Sequence, residues 1–205
     1  IAIGVSAIIG LGALAGGMQA GYRSMLSSTS SDLVISQEDA IDVGYSVLDE
    51  SITSVLSDMP EVSGVTGMVQ GYISSPDEPF LIVFGYPEGS SMLEKYRVIE
   101  GTGIYEKDAH RKRGTPVMLG TVAAEAMDKK TGDTVQLSGM SYRVIGIYET
   151  GDGFEDSAVL LQMRDAQEIM GKTRQVSLIY VDLKDPSLEE RFRERVLRQG
   201  IKAKV

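Results

Sequence analysis

The chain has 205 residues, 42% hydrophobic and 24% charged, a globular balance and a length that buries a core without staples. It holds no cysteine, which excludes disulfides, thiolate metal sites and cysteine nucleophiles and leaves the redox compartment open. A formal net charge of -9 and a pI near 4.7 argue against nucleic acid, whose phosphates need a basic face, and against a domain lying on an anionic cytoplasmic leaflet.

Charge is distributed unevenly along the chain. Residues 1–22 carry none, and Arg23 is the first ionised side chain. The run IAIGVSAIIGLGALAGG is apolar on every side, so it has no amphipathic face with which to dock on a soluble core. About eighteen such residues rise roughly 27 Å as a helix, close to the hydrocarbon thickness of a bilayer. No basic n-region marks it as a signal peptide. Residues 1–22 are therefore expected to be the C-terminal part of a transmembrane helix. Gly12 with Gly16, and Gly17 with Gly21, offer small-xxx-small contacts for a neighbouring helix. The same run contains Gly10, Gly12 and Ala15 in the dinucleotide spacing G-x-G-x-x-A. The acid about twenty residues on, Asp32, begins a strand where the motif needs one that ends it, and no crossover helix lies between. The match is a by-product of a glycine-rich span.

Beyond the polar exit at 27–31, Asp32 to Ser36 reads as a short strand. Val47, Leu48, Ile52, Val55, Leu56 and Met59 recur at helical spacing, which predicts a helix over 46–59 with Ser46 as N-cap and Pro60 as its stop. Two β-rich stretches follow at 62–73 and 79–86, separated by Ser-Pro-Asp-Glu-Pro. The far end has a similar texture, with a strand over 176–184 and then a helix. Ser187 and Glu190 have capping-box spacing; Leu188, Phe192 and Val196 share one helix face; and Glu189–Arg193 and Glu194–Arg198 are i,i+4 pairs. Gly200 ends that helix before a last strand at 201–205. Strand–helix–strand at both ends is the pattern of a split βαβ layer.

The middle differs. Residues 134–137 and 142–148 read as a hairpin about a glycine turn, 157–163 as a strand and 164–172 as a short helix. The expected fold class is α+β: a porter-like layer made of 23–90 and 175–205, with 91–174 inserted as a β-rich subdomain.

Candidate chemistry is sparse. The one histidine, His110, lies in a basic loop with Arg111, Lys112 and Arg113, without a local nucleophile or orienting partner for a catalytic base, and reads as a solvated loop residue. The acidic run 149–156, with Asp152, Glu155 and Asp156, lacks the alternating ligands of a calcium loop and reads as a charged turn. Gly171-Lys172-Thr173 lacks the first glycine of a P-loop, since Ala166 stands in its place. The ten methionines are scattered, as core filling requires. No catalytic, cofactor-binding or metal-binding residue is assigned, and the chain is not expected to be an enzyme.

Several segments, in order, resemble the periplasmic core domain of MacB-type, FtsX-like ABC transporter permeases. They are Asp32 to Ser36 after a membrane span, Tyr96 to Gly101, Val117 to Gly120, and Thr131 to Val135. Tyr142 to Gly151 follows, leading through Phe154 to Ser157 into Ala158 to Leu161, and Asp165 to Gln167 and Tyr180 to Pro186 complete the series. The resemblance implies an extracytoplasmic domain, periplasmic or extracellular, between the first and second membrane helices of a cell-membrane permease. It also implies a cytoplasmic ABC ATPase, fused or separate, a second permease protomer in a homo- or heterodimer, an extracytoplasmic adaptor or lipoprotein, and contact with membrane lipid. In such a protein ATP hydrolysis elsewhere is coupled mechanically to substrate handling outside the membrane. The rival from another class is a membrane-anchored binding or adhesion module without an ATPase.

Overall fold

The computed structural model describes residues 31–38, 40, 43–110, 113–201 and 203–204. The expected membrane helix at 1–22 lies outside them, and among the described residues no helix is long and apolar enough to cross a membrane. The elements are β1 (Leu33–Gln37), β2 (Leu48–Asp49), α1 (Ser51–Ser57), β3 (Val62–Ile73), β4 (Leu81–Tyr86), β5 (Arg97–Gly101), β6 (Thr115–Gly120), α2 (Thr121–Ala126), β7 (Thr134–Leu137), β8 (Met140–Glu149), α3 (Gly153–Asp156), β9 (Ala158–Gln162), α4 (Met163–Ile169), β10 (Gln175–Val176), β11 (Leu178–Leu183), α5 (Glu189–Arg198) and β12 (Ala203–Lys204).

Ten of the strands form one sheet in the order β12-β1-β11-β3-β4-β9-β6-β8-β5, with β7 also on β8. Its first four strands interleave the two ends of the chain. β11 runs antiparallel to β1 on one side and to β3 on the other, so β1 and β3 are parallel and split by β11. β12 pairs antiparallel with β1 and is likewise separated from β11. This is the split βαβ arrangement of an α+β fold. β3 and β4 form the hairpin about Ser-Pro-Asp-Glu-Pro, and β4 then pairs in parallel with β9. β8 has β6 in parallel along one edge; its other edge is shared between β7 at 140–143 and β5 at 146–149.

Strand alternation divides the core between the two faces of the sheet. One face carries Leu33, Ile35, Val69, Val83, Val117 and Val181, and on it pack Leu56 and Met59 from α1 and Phe192 and Val196 from α5. The other carries Met68, Phe84, Tyr86, Met118, Tyr148 and Leu160. Glycines allow close approach at two crossings. A Cβ on Gly85 would lie 2.2 Å from that of Ala166 on α4, and one on Gly120 would lie 2.2 Å from the carbonyl oxygen of Asp156.

Two helix starts differ from the periodicity. Residues 48–49 leave the helical pattern to pair with β10, so α1 begins at Ser51. Ser46 is buried and its hydroxyl accepts from the Gln37 amide at 2.9 Å, a partner nine residues back that no local pattern reveals. At the other end, Asp185 takes the capping role assigned to Ser187: its carboxylate accepts from the Ser187 amide at 2.8 Å and opens a short 3-10 turn ahead of α5. The pairs Glu189–Arg193 and Glu194–Arg198 form as expected.

Candidate functional site

Three buried clusters and one exposed tip concentrate the polar and aromatic chemistry. The acidic run 149–156 leads from β8 into a turn, and its carboxylates are all taken up by protein groups, Glu149 by Arg97 on β5. Asp152 caps α3 by accepting from the amides of Phe154 (2.9 Å) and Glu155 (3.2 Å). Asp156 accepts from the amide and hydroxyl of Thr150 at 2.7 and 2.9 Å. The charged turn is not a surface one, since Glu155 and Asp156 are buried. Glu155 pairs with Lys95 from the 3-10 helix at 91–95. Burial raises the Glu155 pKa, and the adjacent ammonium of Lys95 works against that rise.

Around this pair stand three stacked tyrosines. Ring centre to ring centre, Tyr96 lies 5.8 Å from Tyr86 in a tilted pair and 5.0 Å from Tyr148 in the edge-on geometry favoured by aromatic quadrupoles. The Tyr148 hydroxyl is shared between the carbonyls of Glu155 (2.8 Å) and Ala158 (3.0 Å). Burial pushes all three phenols well up, so they stay neutral and act as hydrogen-bonding core.

The third cluster was not visible in the sequence. Lys172, in the connector after α4, is buried, and its three N–H donors are shared among the carbonyls of Gly44 (2.8 Å), Ser46 (3.1 Å) and Gln70 (3.3 Å) and the hydroxyl of Ser177 (2.9 Å). Burial draws its pKa down to about 8. A lysine of lowered pKa beside a serine is the geometry of a nucleophile with its base. Here Ser177 is fully buried and gives its proton to the Gln70 carbonyl at 2.8 Å, so no substrate reaches it in this conformation. In the sequence nothing marks this cluster beyond a lysine in a short helix-to-strand connector.

His110 ends a 3-10 turn at 107–110. Arg143 on β8 holds the flanks of that basic loop, donating to the carbonyls of Ala109 (2.6 Å) and Arg113 (3.1 Å). Among the described residues no group of three acidic or histidine side chains is placed to hold a metal. Glu100, Glu125, Asp128 and Asp133 do line an open polar basin of about 560 Å³, together with Lys129 and Lys130. An apolar cleft of about 370 Å³ beside β5 is walled by Leu93, Tyr96, Val98, Ile104, Tyr105 and Met118.

Strand directions orient the domain. Leu33 on β1 and Val65 on β3 are level, both opposite Val181. From Val65 to Ile73 the strand advances roughly 26 Å at about 3.3 Å per residue. The β3–β4 turn thus lies far from the end where β1 begins, and β12, antiparallel to β1, heads back to that end. At the far tip the Ser138 amide donates to the Ser74 carbonyl at 2.8 Å, which joins the β3–β4 and β7–β8 turns. Phe80 is 80% exposed there, and Met140 is exposed beside the second turn.

The sequence profile of the MacB-like periplasmic core domain matches residues 1–199, and the chain belongs to that family. A search of curated protein sequences gives no match. Solved structures with the same fold include the extracellular domain of the noncanonical ABC-type transporter YknZ from Gram-positive bacteria. It has 14% identity and a TM-score of 0.61, over 83% of this chain and 95% of that one. The periplasmic region of MacB from Actinobacillus actinomycetemcomitans has 17% identity and a TM-score of 0.59, over 82% and 84%. The protein is a periplasmic or extracellular domain of a MacB-like ABC transporter permease.

Proposed function

We propose that this domain couples ATP hydrolysis by a cytoplasmic ABC ATPase to the handling of a substrate outside the membrane. It works as a stiff relay and carries out no covalent chemistry of its own. The observation that carries this reading is the polarity of the sheet, with β1 starting and β12 returning at one end while the Phe80 tip stands at the other. Such a body, held through its first and last strands by membrane segments, moves its tip when those segments move. The continuous ten-strand sheet favours transmission over bending. In this reading 23–90 with 175–205 and the inserted 91–174 are two coupled units that meet where β4 pairs with β9. The permease works as a dimer, and the Phe80 and Met140 tip meets an extracytoplasmic adaptor or lipoprotein.

The orientation is tested by replacing Phe80 with Cys in the full permease, where no other cysteine of this chain competes for label. A membrane-impermeant maleimide should label F80C in intact cells. Labelling only after permeabilisation would refute an external tip.

A further inference from the structure

The ammonium of Lys172 sits among three backbone carbonyls and a hydroxyl, all within 3.3 Å, and among the described residues no carboxylate pairs with it. Those oxygens come from separate parts of the chain: the 3-10 turn at 43–45 and the residue after it, the middle of β3, and the junction between β10 and β11. Neutral oxygens converging on one point without an anion are a donor set for a monovalent cation, because each carbonyl dipole presents its negative end. We propose that the four oxygens form a cation cage whose resident ion is the tethered ammonium of Lys172. The N–H donors delivered to that point, more than the lysine stem, fasten the connector after α4 to residues 44–46 and to β3.

The neighbouring contacts agree with a fastening. Gln167 on α4 donates to Glu50 at 3.1 Å and to the Gln175 carbonyl at 3.0 Å, and Met170 packs where a side chain on Gly71 would otherwise stand. The stretch 163–172 thus follows β9 in sequence but is fixed to residues 44–50, β3, β4 and β10. Its one buried cation lies at the point where these segments meet. The ligand class of the cage is a primary ammonium, or a bare monovalent cation of similar size.

Chemical rescue tests this in the full-length chain. Lys172→Ala removes the atoms of n-propylammonium and leaves the oxygens. Hydrogen exchange at residues 44–47 and 175–177 should then accelerate about tenfold or more, the effect of losing one charge-assisted hydrogen bond. Added n-propylammonium should restore slow exchange in a saturable way, whereas 1-propanol, of the same length but neutral, should not. Equal restoration by 1-propanol, or no restoration by either, would overturn the cage. If K172A does not accumulate, Lys172→Arg against Lys172→Met decides the matter. The cage predicts slow exchange in K172R and fast exchange in K172M; equal behaviour of the two would overturn it.

Discussion

Leu33 on β1 stands directly opposite Val181 on β11, which joins the first described strand to one near the end of the chain. Val181 is fully buried, with Val65 of β3 opposite its other edge. Lys184 extends the seam by donating from its backbone amide to the Glu61 carbonyl at 2.9 Å. An aspartate at position 181 would place an unpaired carboxylate on the sheet face covered by α1 and α5, at a cost of several kcal/mol. V181D should therefore speed hydrogen exchange in 33–37 and 62–73 together with 178–183. Loosening confined to 178–204 would mean that the two ends do not share one cooperative unit.

Gly120 is held against backbone, which cannot move aside as a side-chain end can. Gly120→Ala should cost about 1–3 kcal/mol through overpacking against Asp156. Gly153, with nothing near its own missing Cβ, is the control, and G153A should be within about 0.5 kcal/mol of wild type. Urea unfolding of both variants measures this, and equal midpoints would contradict the close crossing at the end of β6.

Tyr148→Phe leaves the carbonyls of Glu155 and Ala158 without their shared hydroxyl donor. The expected loss is about 1–2 kcal/mol. Because Glu155 carries the partner of Lys95, the exchange of amides 91–96 should quicken more than that of β11. A uniform change across the chain would argue that the tyrosine cluster does not position the 3-10 helix.

Alkaline stability separates the buried lysine from the buried tyrosines. The folded pKa of Lys172, about 8, is below its ordinary 10.5. Between these values the unfolded chain binds the extra proton, so this group makes stability rise with pH from about 8 to 10.5. Tyr86, Tyr96 and Tyr148 have folded pKa values above the ordinary 10, so their contribution is intact below pH 10 and is lost as pH rises further. Wild type should gain stability above pH 8 and lose it again beyond about pH 10. K172M, though less stable overall, should lack the rising limb; an unchanged limb in K172M would assign it to another group.

The split βαβ layer was legible because its signals are local. The β-rich runs 62–73 and 79–86 with the turn between them, a proline stop at 60 and an amphipathic stretch at 188–196 are each set by neighbouring residues. What joins them is not local. Ser46 reads as a helix cap until Gln37 returns to claim its hydroxyl, and Glu155 reads as surface until Lys95 covers it. Lys172 belongs with these, since its partners span residues 44 to 177 and no spacing rule connects them. Phe80 was hidden for the opposite reason: beside a strand it looks like core, and only the position of the turn at the end of the sheet leaves it exposed.

The relay itself is best tested by distance. Spin labels on F80C in the two protomers of the permease, assembled with its ATPase, report tip separation in the nucleotide-free and ATP-trapped states. Labels at 80 and 140 within one protomer report internal deformation. The relay predicts that the separation between protomers changes with nucleotide while the distance from 80 to 140 stays fixed. A tip separation that is the same in every nucleotide state would contradict it.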